Sequence, residues 1–103
     1  MFKLIYFVPS TYLETTKDAL FEIGCGTIGN YSHCSWETLG KGQFLPSKAS
    51  DPFIGKCEDL TKVEEYRVEM QCPEDLILSA KETLLKIHPY ETPAYEFIRL
   101  EDI

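Results

Sequence analysis

Basic residues are scarce in this sequence. Lys and Arg together number 10, against 17 Asp and Glu, so the formal net charge is −7 at pH 7. A protein that binds duplex nucleic acid needs a basic surface to neutralise the phosphates. The charge therefore predicts that nucleic acid is not a partner.

Long apolar runs are also absent. No stretch approaches the roughly 20 residues of a membrane-spanning helix. The apolar segment at the start, residues 1–9, is short, and no small-residue cleavage site follows it. We interpret this segment as a buried strand rather than a signal peptide, and we expect no membrane association and a cytoplasmic location.

The cysteines lack the Cys-x-x-Cys spacing of a structural zinc site. The sequence has four of them: Cys25, Cys34, Cys57 and Cys72. An even number would suit two disulfides in a secreted protein, but no secretion signal accompanies them. We therefore expect four reduced thiols that behave as small apolar side chains.

The length and composition indicate a globular protein. A chain of 103 residues that is 44% hydrophobic is expected to form one domain, residues 1–103, around one core. Apolar runs, alternation and helical spacing predict five strands and two helices. The strands are Lys3–Val8, Asn30–Leu39, Gln43–Leu45, Val63–Cys72 and Ala94–Leu100, and the helices are Thr11–Ile23 and Glu74–Ile87.

This order, β-α-β-(short β)-β-α-β, predicts an α+β ferredoxin-like sandwich in which both helices cover one face of the sheet. Thr11 and Glu14 have the spacing of a capping box at the start of the first helix. Gly40-Lys41-Gly42 predicts a hairpin turn. The apolar pair Phe53-Ile54 is expected either to anchor the loop at residues 46–55 on the surface or to dock on a neighbouring molecule. An uncovered sheet face favours association into a homo-oligomer.

Three glycines between residues 24 and 29 fit the pattern Gly-x-Gly-x-x-Gly. A dinucleotide-binding fingerprint needs a strand before the glycines and a helix after them. Here a helical pattern precedes Gly24 and a strand pattern follows Gly29. We therefore favour a helix C-cap at Gly24 followed by a tight turn into the next strand.

Four segments resemble the Nif-three-like (YqfO-like) family, and the resemblance covers nearly the whole chain. They are Gly26-x-Ile28-Gly29-Asn30-Tyr31-Ser32-x-Cys34-Ser35, Gly40-x-Gly42-x-Phe44-x-Pro46, Pro52-x-Ile54-Gly55 and His88-Pro89-Tyr90-Glu91-x-Pro93-Ala94-Tyr95. The resemblance is to the small domain that is inserted in those proteins and also occurs alone. The last segment is similar to the closing motif of CutA-like proteins.

CutA and the PII signalling proteins share the ferredoxin-like fold and form trimers. The resemblance thus implies a CutA/PII-like fold and a homotrimer, with a dimer as the second choice. Full-length Nif-three-like proteins carry a two-metal centre in a separate, larger domain, which a chain of 103 residues is too short to contain. A metal-dependent hydrolase activity is therefore not carried over.

Three functions stay open on the sequence. The first is a non-catalytic, oligomeric binding or regulatory module with a small-molecule or protein partner. The second is a CutA-like protein that binds a divalent metal. An enzyme ranks third, because His33 and Cys34 are neighbours on a predicted strand and would point to opposite faces, which makes them a poor nucleophile–base pair.

Candidate site residues lie near residue 31 and near residue 90. The ligand-binding candidates are Tyr31, His33, Tyr90 and Glu91, and the candidates for holding a divalent metal are His33, Cys34, His88 and Glu91. Imidazole and thiolate groups suit borderline divalent ions. We expect one cleft that brings both stretches together, at turns where backbone donors are available.

Each candidate also has a structural interpretation. A cationic His88 could cap the last carbonyls of the second helix. Tyr90 and Glu91 could fix the entry into the last strand. Trp36 and Phe44 could stack on a ligand, although packing in a core or an interface is the more common use of such rings.

Overall fold

The structure is a computed structural model that describes residues 1–103. Four strands and two helices alternate along the chain. They are β1 (Phe2–Val8), α1 (Leu13–Glu22), β2 (Trp36–Phe44), β3 (Thr61–Cys72), α2 (Ile77–Ile87) and β4 (Tyr95–Arg99). The strands form one antiparallel sheet in the order β2-β3-β1-β4. This confirms the predicted α+β sandwich.

The core lies between the helices and one face of the sheet. Alternate residues of β1, namely Leu4, Tyr6 and Val8, are fully buried there. The rest of the cluster comes from β3, the two helices and the connection after α1: Val68, Met70, Cys72, Leu13, Leu20, Ala80, Leu84 and Cys25. The opposite face of the sheet, which we call the open face, carries the other side chains of each strand and has no helix over it.

A hydroxyl network crosses this core. The hydroxyl of Tyr6 donates to Oγ1 of Thr16 at 2.9 Å, and Thr16 in turn donates to the carbonyl oxygens of Tyr12 and Leu13. A polar group in such a place is stable only when it is hydrogen-bonded. The network thus fixes α1 against β1.

Both helices begin with a short 3₁₀ turn after a proline. Tyr12 N–H donates to the carbonyl oxygen of Pro9, and Leu76 N–H donates to that of Pro73. Neither helix has a side-chain cap, so the capping role predicted for Thr11 is wrong. The proline carbonyls and the tighter turns occupy the donors that a cap would have taken.

The α1–β2 connection contains the glycines. α1 ends at Glu22, and Gly24 follows with φ of +113°, which confirms the predicted helix stop. Residues 30–35, predicted as strand, are irregular, and Ile28 pairs with Tyr31 across a tight turn. β2 therefore starts six residues later than predicted, because this turn is closed by its own backbone bonds.

The predicted hairpin at Gly40-Lys41-Gly42 is wrong. β2 runs without interruption from Trp36 to Phe44 and pairs with β3 over its whole length. The ladder satisfies the backbone donors and acceptors of β2 that face β3, and this outweighs the turn tendency of two glycines. Gln43 and Phe44 of the predicted short strand are thus the end of β2, and Leu45 lies outside the strand.

The β2–β3 pair extends beyond the rest of the sheet. β1 pairs with β3 only between Tyr66 and Cys72, so residues 61–65 of β3 have β2 as their sole strand neighbour. We call residues 40–44 and 61–65 the ribbon. It contributes to an elongated shape with extents of 46 × 25 × 24 Å. Neither helix has the length and apolar character needed to cross a membrane.

Candidate functional site

A surface cleft lies beside the ribbon, where the loop after β2 meets the turn after α2. It has a volume of about 400 Å³. Four aromatic rings, two carboxylates and smaller side chains form its walls. The lining includes Phe7, Phe44, Phe53, Tyr90, Glu65 and Glu91, with Gln43, Leu45, Pro46, Ser47, Ser50, Pro52, Ile54, Thr92 and Ala94.

His88 anchors one wall of the cleft. Its Nδ1 accepts the backbone N–H of Tyr90 at 3.1 Å, so the ring proton lies on Nε2, which donates to the carbonyl oxygen of Phe7 at 2.6 Å. Burial lowers the pKa of His88, and the hydrogen bond to Phe7 only partly opposes that effect. His88 is therefore a neutral clamp between α2 and β1, and the prediction that it caps its own helix as a cation is wrong.

Tyr90 stands next to His88, with the two ring centroids 4.8 Å apart. Its hydroxyl donates to Oε2 of Glu65 on β3 at 3.0 Å. Burial raises the pKa of Tyr90, and the charge of Glu65 raises it further. The ring is thus fixed at both ends, and its phenol stays protonated.

Glu91 and Phe53 tie the loop to this wall. Oε1 of Glu91 accepts the backbone N–H of Asp51 at 2.9 Å. The Phe53 ring lies 6.0 Å from that of Tyr12 and 6.5 Å from that of Tyr90, centroid to centroid. Phe53 thus holds the loop against this wall and lines one side of the cleft, although 52% of the residue stays exposed.

The charged side chains that line the cleft are all acidic. Glu65 and Glu91 line it, and no Lys, Arg or His does. The nearest guanidinium, that of Arg67, lies 6.0 Å from the Phe7 ring centroid and is paired with Glu69 at 3.1 Å. The cleft is therefore electronegative, with aromatic walls.

The other predicted ligands lie elsewhere. Tyr31 is 75% exposed in the α1–β2 connection. Nδ1 of His33 is 2.9 Å from the Ser32 hydroxyl, and its ring lies 4.9 Å from that of Phe21. The Cys34 thiol points to the carbonyl oxygen of Ser32 at 3.7 Å.

The structure does not form the single cleft that the sequence predicted. The connection that contains His33 is bonded to the sheet through Gly26 N–H and the carbonyl oxygen of Gln71, which lies opposite Lys3 of β1. His88 is instead bonded to Phe7 of β1. These two points on β1 are separated by about 13 Å, at roughly 3.3 Å per residue. No group of three or more His, Cys, Asp or Glu side chains is arranged to hold a metal. The four metal candidates are thus not assembled as a ligand set.

Two of the thiols meet in the core. The sulfur atoms of Cys25 and Cys72 are 3.7 Å apart, well beyond the roughly 2.05 Å of a disulfide bond, and all four cysteines are free. Burial raises the pKa of Cys25 to about 12, and the neighbouring Cys72 adds to the shift. A thiol with so high a pKa is a poor nucleophile.

Sequence reasoning missed Glu65 and Phe7 as residues of the cleft. The alternation along β3 placed Glu65 on the polar side of the strand, but nothing in the sequence indicates that Tyr90 reaches it. Phe7 lies in an apolar run that reads as buried throughout. Both enter the cleft because the turn after α2 returns across the end of β1.

The chain has relatives among known proteins, although no family model matches it. It is 38% identical over 99 residues to a protein of Staphylococcus epidermidis named GTP cyclohydrolase 1 type 2 homolog. The match covers 96% of this chain and 27% of that protein. The solved structure of a Bacillus cereus protein related to NIF3 superposes with a TM-score of 0.85 at 36% identity, over 98% of this chain and 26% of that one.

The chain is similar to one segment of longer NIF3-related proteins. It spans about a quarter of the length of the curated relative and of the solved structure. The resemblance seen in the four sequence segments is thereby confirmed.

The similarity in fold, without similarity in sequence, includes other proteins. The structure of the PII-like protein CutA from Nostoc superposes with a TM-score of 0.71 at 16% identity, over 98% of this chain and 82% of that one. At this identity the likeness concerns the arrangement of strands and helices. This confirms the predicted CutA/PII-like fold.

Proposed function

We propose that residues 1–103 form a single oligomeric binding or regulatory module without catalysis of its own, and that its ligand site is the cleft beside Tyr90 and Glu91. The observation that carries the proposal is the volume of about 400 Å³ between aromatic walls. Small-molecule sites of proteins typically have roughly 300–1,000 Å³ and apolar walls with a few fixed polar groups.

The walls of the cleft are preorganised. His88 holds the turn after α2 to the end of β1, Tyr90 is bonded to Glu65, and Glu91 is bonded to the backbone at Asp51. A site whose side chains are already held in place loses less entropy when a ligand binds. This rigidity favours a binding role over a merely structural turn.

The arrangement of the reactive groups supports the absence of catalysis. A nucleophilic enzyme needs a thiol or hydroxyl beside a base. Both ring nitrogens of His88 are occupied by backbone groups, and His33 is beside the Ser32 hydroxyl on an exposed loop that lies away from the cleft. In longer relatives, we propose, this segment contributes binding or regulation.

The edge strand supports association into a homo-oligomer, with a trimer as first choice and a dimer as second. β2 is an edge of the sheet, and its Trp36 and Leu39 side chains are 62% and 53% exposed. A two-stranded ribbon is only marginally stable in water by itself. These two side chains point to opposite faces of the sheet. A second copy paired along this edge could therefore contact one of them on each face, and the CutA-like fold favours the trimer.

The free thiols support a cytoplasmic location. Cys25 and Cys72 touch without forming a bond, and Cys57 is exposed and free. Free exposed thiols persist where the surroundings are reducing.

A thermal-shift screen with metabolites and divalent cations tests the ligand site. A ligand at 100 times its dissociation constant should stabilise the protein by about 2.7 kcal/mol. Phe53→Ala removes one wall of the cleft and should abolish the shift, whereas the control Leu78→Ala, exposed on α2, should retain it. If no compound raises the melting temperature, or if both variants respond alike, the proposed site is wrong.

The same screen addresses the alternative of a divalent metal. A shift produced by a cation such as Mn²⁺ or Cu²⁺, and lost in Glu91→Gln, would favour the metal-binding function over an organic ligand.

Light scattering tests the oligomer. Leu39→Lys places a charge on the proposed interface and should dissociate the assembly, whereas Leu78→Lys on α2 should leave it intact. A wild-type protein that is monomeric at micromolar concentration contradicts the oligomer proposal.

A further inference from the structure

The charge of the cleft indicates which ligands it can accept. We propose that it binds a small organic cation, a protonated amine or guanidinium carried on an apolar or aromatic body. The inference rests on the proposed function, since it names the chemical class of ligand for that same cleft.

Each of the two carboxylates of the cleft has one oxygen atom without a hydrogen-bond partner. Glu65 uses Oε2 for the Tyr90 hydroxyl, and Glu91 uses Oε1 for the Asp51 N–H. The remaining oxygens, Oε1 of Glu65 and Oε2 of Glu91, have no hydrogen-bond donor or ion-pair partner within the chain. An ammonium or guanidinium group supplies only donors, so it complements two such acceptors.

The rings around the carboxylates suit the same group. Phe7, Phe44, Phe53 and Tyr90 line the cleft, and their π faces attract a cation within about 6 Å of the ring centroid. The apolar surface of these rings can also pack against the uncharged body of the ligand. The cleft therefore provides acceptors for the charged group of an amphipathic amine and apolar contacts for its body.

Anionic ligands lack a positively charged partner in this cleft. No basic side chain lines it, and the guanidinium of Arg67 is already paired with Glu69. A phosphate or carboxylate there would face two negative charges without a compensating donor of positive charge. Charge complementarity therefore favours a cation over a nucleotide or an organic acid.

Three aromatic probes of similar size separate the effect of charge from that of shape: phenethylamine, 2-phenylethanol and 3-phenylpropionate. Each is titrated into the ¹⁵N-labelled full chain. The backbone amides of Asp51 and Tyr90 report binding, because they bond to Glu91 and His88 at the cleft. We expect both amides to shift with phenethylamine, with a dissociation constant about tenfold below that of the alcohol, the ratio typical of one charge-assisted hydrogen bond.

The variants test the carboxylates directly. Glu91→Gln and Glu65→Gln should each raise the dissociation constant for phenethylamine towards that of the alcohol. Glu82→Gln changes the net charge by the same amount on the exposed side of α2 and should leave the affinity unchanged.

The outcomes distinguish this inference from the proposed function. If the alcohol or the propionate binds the cleft as tightly as the amine, the inference fails while the ligand site stands. If no probe shifts the two amides at millimolar concentration, the cation inference fails, and the metabolite screen then decides on the site. If the amides instead shift with protein concentration alone, a second copy of the chain occupies the cleft and the inference is overturned.

Discussion

Nε2 of His88 donates to the carbonyl oxygen of Phe7 at 2.6 Å, which ties the end of α2 to the end of β1 across 81 positions of sequence. The bond requires the neutral ring, since Nδ1 accepts the N–H of Tyr90. It also places the chain so that Tyr90 and Glu91 reach the cleft. The pH dependence of stability follows from this arrangement.

His88 should make the protein less stable in acid. Its pKa is lowered in the folded state, so between that pKa and about 6.5 the unfolded chain binds a proton that the folded chain does not. The free energy of unfolding should thus fall as the pH drops below about 6.5, by up to about 1.4 kcal/mol per pH unit, until His88 is protonated in both states.

Urea denaturation of wild type and His88→Gln between pH 5 and pH 8 measures this contribution. The variant should lose this part of the pH slope, and His33→Gln, on an exposed loop, should keep it. Equal slopes in wild type and His88→Gln would contradict the assignment.

The Tyr6–Thr16 bond should contribute measurably to stability. Thr16→Val keeps the shape of the side chain but leaves the fully buried Tyr6 hydroxyl without its acceptor, and the cost should be about 1–3 kcal/mol. Tyr6→Phe removes the hydroxyl itself, so the double variant should be more stable than the sum of the two single effects predicts. Additive effects in chemical denaturation would show that the two side chains do not interact.

Gly26 should tolerate no side chain. Its φ is +77°, and a Cβ there would lie 2.8 Å from both the carbonyl oxygen of Cys34 and the Phe21 ring. Gly26→Ala should therefore destabilise the protein by about 2–4 kcal/mol. Gly40→Ala is the matched control, because a Cβ at Gly40 meets nothing within 4 Å, and its effect on the melting temperature should be small.

The thiols should differ in reactivity with a disulfide reagent such as DTNB. Cys57 is exposed and should react in the native protein, whereas Cys25 and Cys72 are buried and should react only on unfolding. Denatured, non-reduced protein should release four equivalents. A release of two would reveal one disulfide and contradict this prediction, and Cys57→Ala should diminish the fast native phase.

Much of the fold could be predicted from the sequence because local rules and tertiary packing agree there. The alternation along β3 gave its buried face correctly, and the Gly24 stop and the Pro9 and Pro73 boundaries matched the ends of the helices. Local rules failed at β2, where Gly40 and Gly42 read as a turn. The pairing of β2 with β3 decided otherwise, and no local pattern encodes such pairing.

The sequence by itself determined the net charge, the α+β order of elements, the family resemblance and the importance of the segment from His88 to Pro93. Tertiary structure decided what these residues do. His88 has both nitrogens committed to Phe7 and Tyr90, and His33 lies at the other end of β1. Glu65 enters the cleft only because Tyr90 reaches β3. The physical reason is distance along the chain: hydrogen bonds between residues 25 to 81 positions apart depend on how the sheet and helices pack, and no periodicity of the sequence specifies them.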